Sequence, residues 1–294
     1  MTAVSTALDA QVLNHLQAWQ GRSETQHDQI TAAPVRALAA TLDCDDPAPA
    51  TGTVLPPLWH WLYFLPMQRQ SEIGLDGHPL RGGFLPPVPL PRRMWAGSRL
   101  AWNADNPLRV GDAVERISRI ASVEHKRGRS GDLVFVQVEH ELRNGRGLAL
   151  AEVHDIVYRD TPRPGDPAPE PTGAETSAAW QRTLTPDDVL LFRYSALTFN
   201  GHRIHYDRQY VTQVEGYPGL VVHGPLIATL LMDLLRRHLP GAAVKAFRFK
   251  ARRPSFDGRS LRVNGQPSPD GRSVRLWAQD AEGWLTMSAD AELA

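Results

Sequence analysis

Apolar and polar positions change period along this chain, and the changes mark out its elements. Across Val114–Glu124, Leu133–Leu142 and Leu148–Tyr158, β-branched and apolar residues alternate with polar ones. This is the period of two that turns every other side chain of a strand to the same face. Gly128-Arg129-Ser130-Gly131 and Asn144-Gly145 separate the runs, so they predict three antiparallel strands joined by hairpins. A second set follows the same plan: Leu261–Gly265, Val274–Ala278 and Leu285–Leu293, with turns at Pro269-Asp270-Gly271 and Glu282-Gly283. Pro107 precedes Gly111 by four residues ahead of the first meander, as Pro254 precedes Gly258 ahead of the second. The chain therefore predicts an internal repeat, each half ending in a meander.

The period becomes helical just before the second meander. Leu226, Ile227, Leu230, Leu231, Leu234, Leu235 and Leu239 follow Pro225, a residue suited to a first helical turn. Asp233, Arg236 and Arg237 fall on the other side, and Pro240-Gly241 ends the run. One apolar helix followed by an antiparallel meander implies a sheet wrapped around the helix, burying one of its faces. In the first half the equivalent stretch, Pro56-Pro57-Leu58-Trp59-His60-Trp61, cannot form so long a helix. One half keeps a central helix and the other has shortened or rebuilt it.

Five prolines between 162 and 171 predict an extended linker over 161–175. It separates an N-terminal unit, 1–160, from a C-terminal unit, 176–294. The chain of 294 residues has 32 basic and 32 acidic side chains, a balance that argues against a nucleic-acid binder. Cys44 is the only cysteine, which excludes disulfides and thiolate metal clusters; its neighbours Asp43, Asp45 and Asp46 raise a thiol's pKa, the wrong direction for a nucleophile. No run approaches the ~18 apolar residues of a membrane span. Met1–His15 has neither a basic nor a continuous apolar region, so a cytoplasmic protein is expected. Neither a Gly-x-Gly-x-x-Gly after a strand nor a phosphate-binding Gly-Lys-Ser/Thr is present, which speaks against a nucleotide-dependent enzyme.

The chemistry concentrates between Phe192 and Pro225. Asn200, His202, His205 and Asp207 lie within eight residues, and His223-Gly224 opens the apolar helix shortly after. First-turn N–H groups have no acceptor within their helix and can hold a developing oxyanion, while Gly224 allows close approach. A proton-transfer group beside such a helix start suits chemistry next to an activated carbonyl.

Leu197-Thr198-Phe199-Asn200-Gly201-His202-Arg203-Ile204-His205-Tyr206-Asp207, followed by Val222-His223-Gly224, resembles the motif of the MaoC-like hydratase/dehydratase family. The Phe-Asn-Gly-His-Arg-Ile-His-Tyr-Asp variant is similar to the subgroup of hydroxyacyl-thioester dehydratase type 2 and mesaconyl- or itaconyl-CoA hydratases. The stretch Arg92-Arg93-Met94-Trp95-Ala96-Gly97 is similar to that subgroup as well. The resemblance implies an α+β double hotdog, two curved antiparallel sheets each wrapped on a helix. It also implies reversible hydration of the 2,3-double bond of an enoyl-CoA thioester, with a short C5 dicarboxylyl-CoA favoured.

Carried over residue by residue, the resemblance makes His205 the general base, close enough to neutral pKa to serve. Gly224 becomes the thioester-oxygen donor. Asn200 stands where the family has Asp. Asn cannot exchange a proton near pH 7, so it is expected to position water. Either His205 then handles both protons or a carboxylate such as Asp207 assists. Tyr194, Val222, His223, Asp207, Arg92, Arg93 and Trp95 are the expected substrate contacts, although His223 could instead shape the turn and Asp207 cap a helix. Arg forks match CoA phosphates or a substrate carboxylate. His202 and His205 could hold a metal, but no third ligand accompanies them, so neither metal nor cofactor is expected, CoA arriving with the substrate. The first half has Cys44, Asp45 and Asp46 near the place of Asn200 and no His at the spacing of His205. One site per chain is expected, with an acyl cavity where the first helix is shortened, in a monomer or homodimer. A thioesterase and a non-catalytic acyl-thioester binder are the competing readings.

Overall fold

The computed structural model describes residues 8–128, 131–161 and 170–294. The first half contains α1 (Ala10–Gln17), β1 (Ser23–Gln29), α2 (Ala32–Leu42), short 3-10 turns at Trp59–Leu62 and Gln70–Glu72, and β2 (Arg92–Trp102), β3 (Ala113–Gly128), β4 (Gly131–Asn144) and β5 (Gly147–Arg159). The second contains β6 (Trp180–Leu184), α3 (Asp188–Leu197), a 3-10 turn at Arg203–His205, α4 (Arg208–Gln213), α5 (Gly224–His238), β7 (Val244–Ala251), β8 (Leu261–Pro267), β9 (Ser273–Gln279) and β10 (Leu285–Leu293). Both predicted meanders form, as β3-β4-β5 and β8-β9-β10.

The strands make one ten-stranded antiparallel sheet in the order β1-β3-β4-β5-β2-β7-β10-β9-β8-β6. Exchanging each strand with its counterpart in the other half reverses the order and leaves it unchanged, so the repeat is a structural one. The halves join where β2 pairs with β7, from Gly97 opposite Lys250 to Ala101 opposite Ala246. A Cβ on Gly97 would lie 2.3 Å from the Phe249 carbonyl oxygen, so this seam closes only around glycine.

The central helix α5 is buried further round than a one-faced pattern predicts. Every residue from Leu226 to Leu235 is buried, including Thr229 and Asp233. Strands β6, β8, β9 and β10 pack against it, and the same continuous core takes in α2, α3 and the aromatic segment 58–64. Asp233, expected on the outer side, is 3% exposed. It is held by Arg182 and Arg237, each at 2.7 Å. Both arginines also donate to the Leu42 carbonyl at the end of α2, using acceptors the helix leaves open. Cys44 lies beside Asp233; burial first, then that carboxylate, push its thiol up to about 11, so it is no nucleophile.

The ground a first-half helix would occupy is filled. Trp59 and Tyr63 are buried there, and the Glu152 carboxylate accepts from His60 Nε2 at 2.9 Å and Trp61 Nε1 at 3.2 Å, with His154 Nε2 at 2.8 Å. Burial alone would raise the Glu152 pKa, but the two imidazoles hold it well below the carboxylate range. The acyl cavity expected from the shortened helix is therefore replaced here by aromatic rings and a polar knot. A second apolar cluster, from Leu16 of α1 through Val134, Val136 and Val138 of β4 to Tyr158, continues the inner face beyond that knot.

Most of the expected linker, 162–169, lies outside the described residues. Its last part is docked: Leu285 N donates to the Thr172 carbonyl at 2.8 Å and Ala174 N to the Gly283 carbonyl at 3.0 Å. No described helix is long and apolar enough to cross a membrane.

Candidate active site

The motif segment is a chain of caps that fixes one imidazole. Helix α3 begins at Asp187, whose carboxylate accepts from Leu190 N, and its last turn gives way to Phe199 in the left-handed region at φ 48°. The Asn200 Oδ1 accepts from His202 N at 3.0 Å, bending the backbone into the 3-10 turn. Asp207 then caps α4 through Tyr210 N at 2.9 Å and grips Arg203 at 2.7 Å. His205 sits between these two capped turns and is 8% exposed.

The tautomer of His205 follows from one contact. Nδ1 lies 2.7 Å from the Val221 carbonyl, an oxygen that can only accept, so Nδ1 carries the proton and Nε2 keeps its lone pair. Burial pushes the ring down to about 4, so it is a neutral base at pH 7. His223 stacks on it at 3.7 Å with planes 19° apart and is 1% exposed. The Ser195 hydroxyl lies 2.9 Å from His223 Nε2, and burial holds this second ring well below its usual pKa. His223 is thus a neutral floor beneath the His205 ring. Tyr194, also buried, packs edge-on against His223 with ring centres 5.0 Å apart.

Gly224 starts α5. Pro225 has no N–H, and among the described residues neither the Gly224 nor the Leu226 N–H has an acceptor. A Cβ at Gly224 would meet nothing within 4 Å, so open space lies beside those donors. Val222 contributes through its backbone, its N–H donating to the Ser255 carbonyl at 2.9 Å.

The segment 70–80 of the first half comes to the same place, and sequence reasoning did not select it. Arg203 N donates to the Asp76 carbonyl at 2.9 Å, and Arg203 Nη1 to the Leu75 carbonyl at 3.0 Å. Gly77 turns at φ 86°, and a Cβ there would lie 1.7 Å from the Gly201 carbonyl oxygen. This contact brings Asp76 Oδ2 to 3.0 Å from His78 Nδ1 and sets the His78 ring 3.9 Å from that of His202. His202 is in turn 5.4 Å from His205. Burial pushes His202 down to about 2 and lowers His78, which the Asp76 carboxylate partly restores. Asp76-Gly77, a favoured turn pair ahead of His78-Pro79, was the available signal.

Donor atoms of Asp76, His78 and His202 all fall within 4.8 Å, the only such trio among the described residues. Within the trio the Asp76 carboxylate accepts from His78 Nδ1, and the His78 and His202 rings face each other.

The other expected contacts divide. Arg93 pairs across strands with Tyr158, and its charge is felt there and at His78 and His202. No carboxylate stands within 4.0 Å of Arg93 among the described residues. Arg92 points to the opposite face and is committed to the Glu215 carbonyl at 2.8 Å and to Tyr217. Trp95 donates to the Gly97 carbonyl and Ser98 Oγ and packs on Trp61 and His154, in the first-half knot. Tyr194 lies behind His223, and both carboxylate oxygens of Asp207 are occupied by the cap and Arg203. Each of these four has structural partners within the chain.

Residues 58–257 match the family model for hydroxyacyl-thioester dehydratase type 2. The chain is 48% identical over 279 residues to the mesaconyl-C(4)-CoA hydratase of Chloroflexus aurantiacus, covering 94% of this chain and 97% of that one. A solved MaoC-like dehydratase superposes with a TM-score of 0.69 at 14% identity, covering 95% of this chain and 99% of that one. A Mycobacterium tuberculosis protein described as a double hotdog superposes at 0.54 with 14% identity, covering 94% and 96%. These last two likenesses show the fold.

Proposed function

The chain belongs to the hydroxyacyl-thioester dehydratase type 2 family, and from that premise we propose that it hydrates a short C5 dicarboxylyl-CoA such as mesaconyl-C4-CoA or itaconyl-CoA. The enzyme is a hydro-lyase acting on an enoyl-CoA thioester. The observation that carries the mechanism is the His205 tautomer, with Nδ1–H on the Val221 carbonyl and a free lone pair on Nε2.

His205 Nε2 takes a proton from water as the water oxygen adds to C3. Electrons of the double bond move onto the thioester oxygen, and the Gly224 N–H holds that oxyanion, worth about 3–4 kcal/mol for such a donor. C2 then takes a proton. The Asn200 Nδ2 has no partner among the described residues and can hold the water. The site uses no metal or organic cofactor, CoA being part of the substrate, and both halves of one chain complete it. A cytoplasmic enzyme, alone or as a dimer of double units, fits this reading.

The substrate's free carboxylate needs a cation; of the two guanidiniums beside His78 that lack a carboxylate partner, Arg81 is committed to the Val88, Leu90 and Pro91 carbonyls, which leaves Arg93. The 48% identity to a mesaconyl-C(4)-CoA hydratase supports the same acyl class. Rates with crotonyl-CoA, mesaconyl-C4-CoA and itaconyl-CoA test it, for wild type and Arg93→Met. The dicarboxylyl thioesters are expected to react faster than crotonyl-CoA. Arg93→Met is expected to raise their KM by about tenfold or more while crotonyl-CoA changes little. Equal effects on all three substrates would remove Arg93 from carboxylate recognition.

A further inference from the structure

The family's aspartate is absent at position 200, and no carboxylate of the motif segment replaces it. Asn200 bends the backbone, and Asp207 is consumed by a helix cap and by Arg203. Yet hydration needs protons handled at two atoms, the attacking water and C2. The nearest carboxylate with an imidazole attached comes from the other half of the chain.

We propose that Asp76 and His78 are the second proton-handling pair of this site, His78 Nε2 exchanging the proton at C2 of the acyl group while Asp76 orients the ring. This rests on the hydratase reading above. The Asp76 carboxylate accepts the Nδ1–H of His78 at 3.0 Å, which leaves Nε2 as the working atom. The ring faces His202 at 3.9 Å, and His202 stands 5.4 Å from the base. His78 is close enough that a charge on it lowers the pKa of His205. Its side chain keeps 20% exposure, so a ligand can reach it.

The segment is built to be held there. One backbone and one side-chain hydrogen bond from Arg203, with the Gly77–Gly201 approach, fix it on the motif itself. A proton on His78 cancels the charge of Asp76, so the protonated pair is electrically neutral, although burial lowers the His78 pKa and leaves only a minority of molecules protonated at pH 7. That matters in a buried site, where an unmatched charge is costly.

The cycle balances. In hydration the proton starts on His78. His205 takes one proton from water as the C3–O bond forms, and the enolate carbon C2 takes the proton of His78 Nε2 as the C2–H bond forms. The proton then resides on His205, and its return to His78 past His202 restores the start. Dehydration runs the same steps backwards: His78 removes the C2 proton and His205 gives one to the leaving hydroxyl. Asp76, His202, His205, Arg81 and Arg93 are the charged and titratable groups around the His78 ring.

The test separates the two histidines by isotope exchange. Wild type is first shown to convert mesaconyl-C4-CoA; failure with every enoyl thioester would overturn the hydratase reading and the inference with it. The hydroxyacyl-CoA product is then incubated in D2O with wild type, His78→Ala, His78→Gln, Asp76→Asn and His205→Ala, and exchange of C2–H is followed by NMR. Both His78 variants are expected to lose about 10²-fold in kcat and in C2 exchange with KM within about threefold, and Asp76→Asn about tenfold. His205→Ala is expected to lose turnover yet still exchange C2–H. Two results overturn the proposal: exchange in both His78 variants within about threefold of wild type, or exchange abolished only by His205→Ala. Loss of wild-type turnover on chelation, restored by zinc, overturns it too, by making the rings metal ligands.

Discussion

His205 is defined less by its own chemistry than by the carbonyl it faces. Val221 fixes the proton on Nδ1, and burial keeps the ring neutral down to a pH of about 4. Hydration needs His205 neutral and His78 protonated, so its rate is expected to rise as pH falls below neutrality and His78 gains its proton, then to fall as pH drops through about 4, read from kcat on a folded sample. His205, Gly224 and Asn200 could be named from sequence because each falls on a position of the motif this chain resembles. Arg92 and Arg93 were not separable in the same way. Neighbours on a strand face opposite sides, and only the register opposite Arg159 and Tyr158 tells which one looks inward. His78 could not be selected, since nothing in its local sequence says which distant turn it will meet.

At the scale of elements, legibility followed burial. Helix α5 and the two meanders announce themselves by apolar period, because their inner faces are core. The edge strand β1, Ser23–Gln29, has no apolar residue, and its hydrogen bonds to β3 are invisible to a hydrophobic pattern. Its counterpart β6 at the other edge escaped because it is five residues long with apolar residues only at its two ends, Trp180 and Leu184. Helices α2 and α3 were missed too, although Val35, Leu38 and Leu42 share a face in retrospect. Two predictions belong here. Leu230→Ala, in the fully buried stretch of α5, is expected to cost about 2–5 kcal/mol in denaturant unfolding, as cavity-forming changes do. Gly77→Ala must push the 70–80 segment off Gly201, given the 1.7 Å approach and the positive φ. It is expected to lower kcat about 10²-fold while unfolding stability changes little, because a misplacement of about 1 Å suffices for such a loss.

In the whole molecule, the repeat is symmetric in its sheet and asymmetric in its use. Strand order is preserved under exchange of the halves, but only the second keeps a long helix with free donors at its start. The first half gives up its helix to an aromatic and polar filling and lends Asp76 and His78 to its partner's site. The burial of these imidazoles also sets the acid limit of the fold. His78, His202, His205 and His223 all titrate below 6.5 when folded, so the unfolded chain binds their protons first as pH falls. Unfolding free energy is therefore expected to be full above pH 6.5 and to drop below it, by on the order of 1 kcal/mol per pH unit for each such group until its folded pKa is reached. Urea unfolding at stepped pH checks the slope.

The most direct test of the central claim follows mesaconyl-C4-CoA with wild type and His205→Ala, reading the enoyl-thioester absorbance and free thiol together. Loss of the enoyl band without thiol release, slowed about 10²-fold or more in the variant, is the predicted result. Thiol release by wild type, or a variant as fast as wild type, would contradict it.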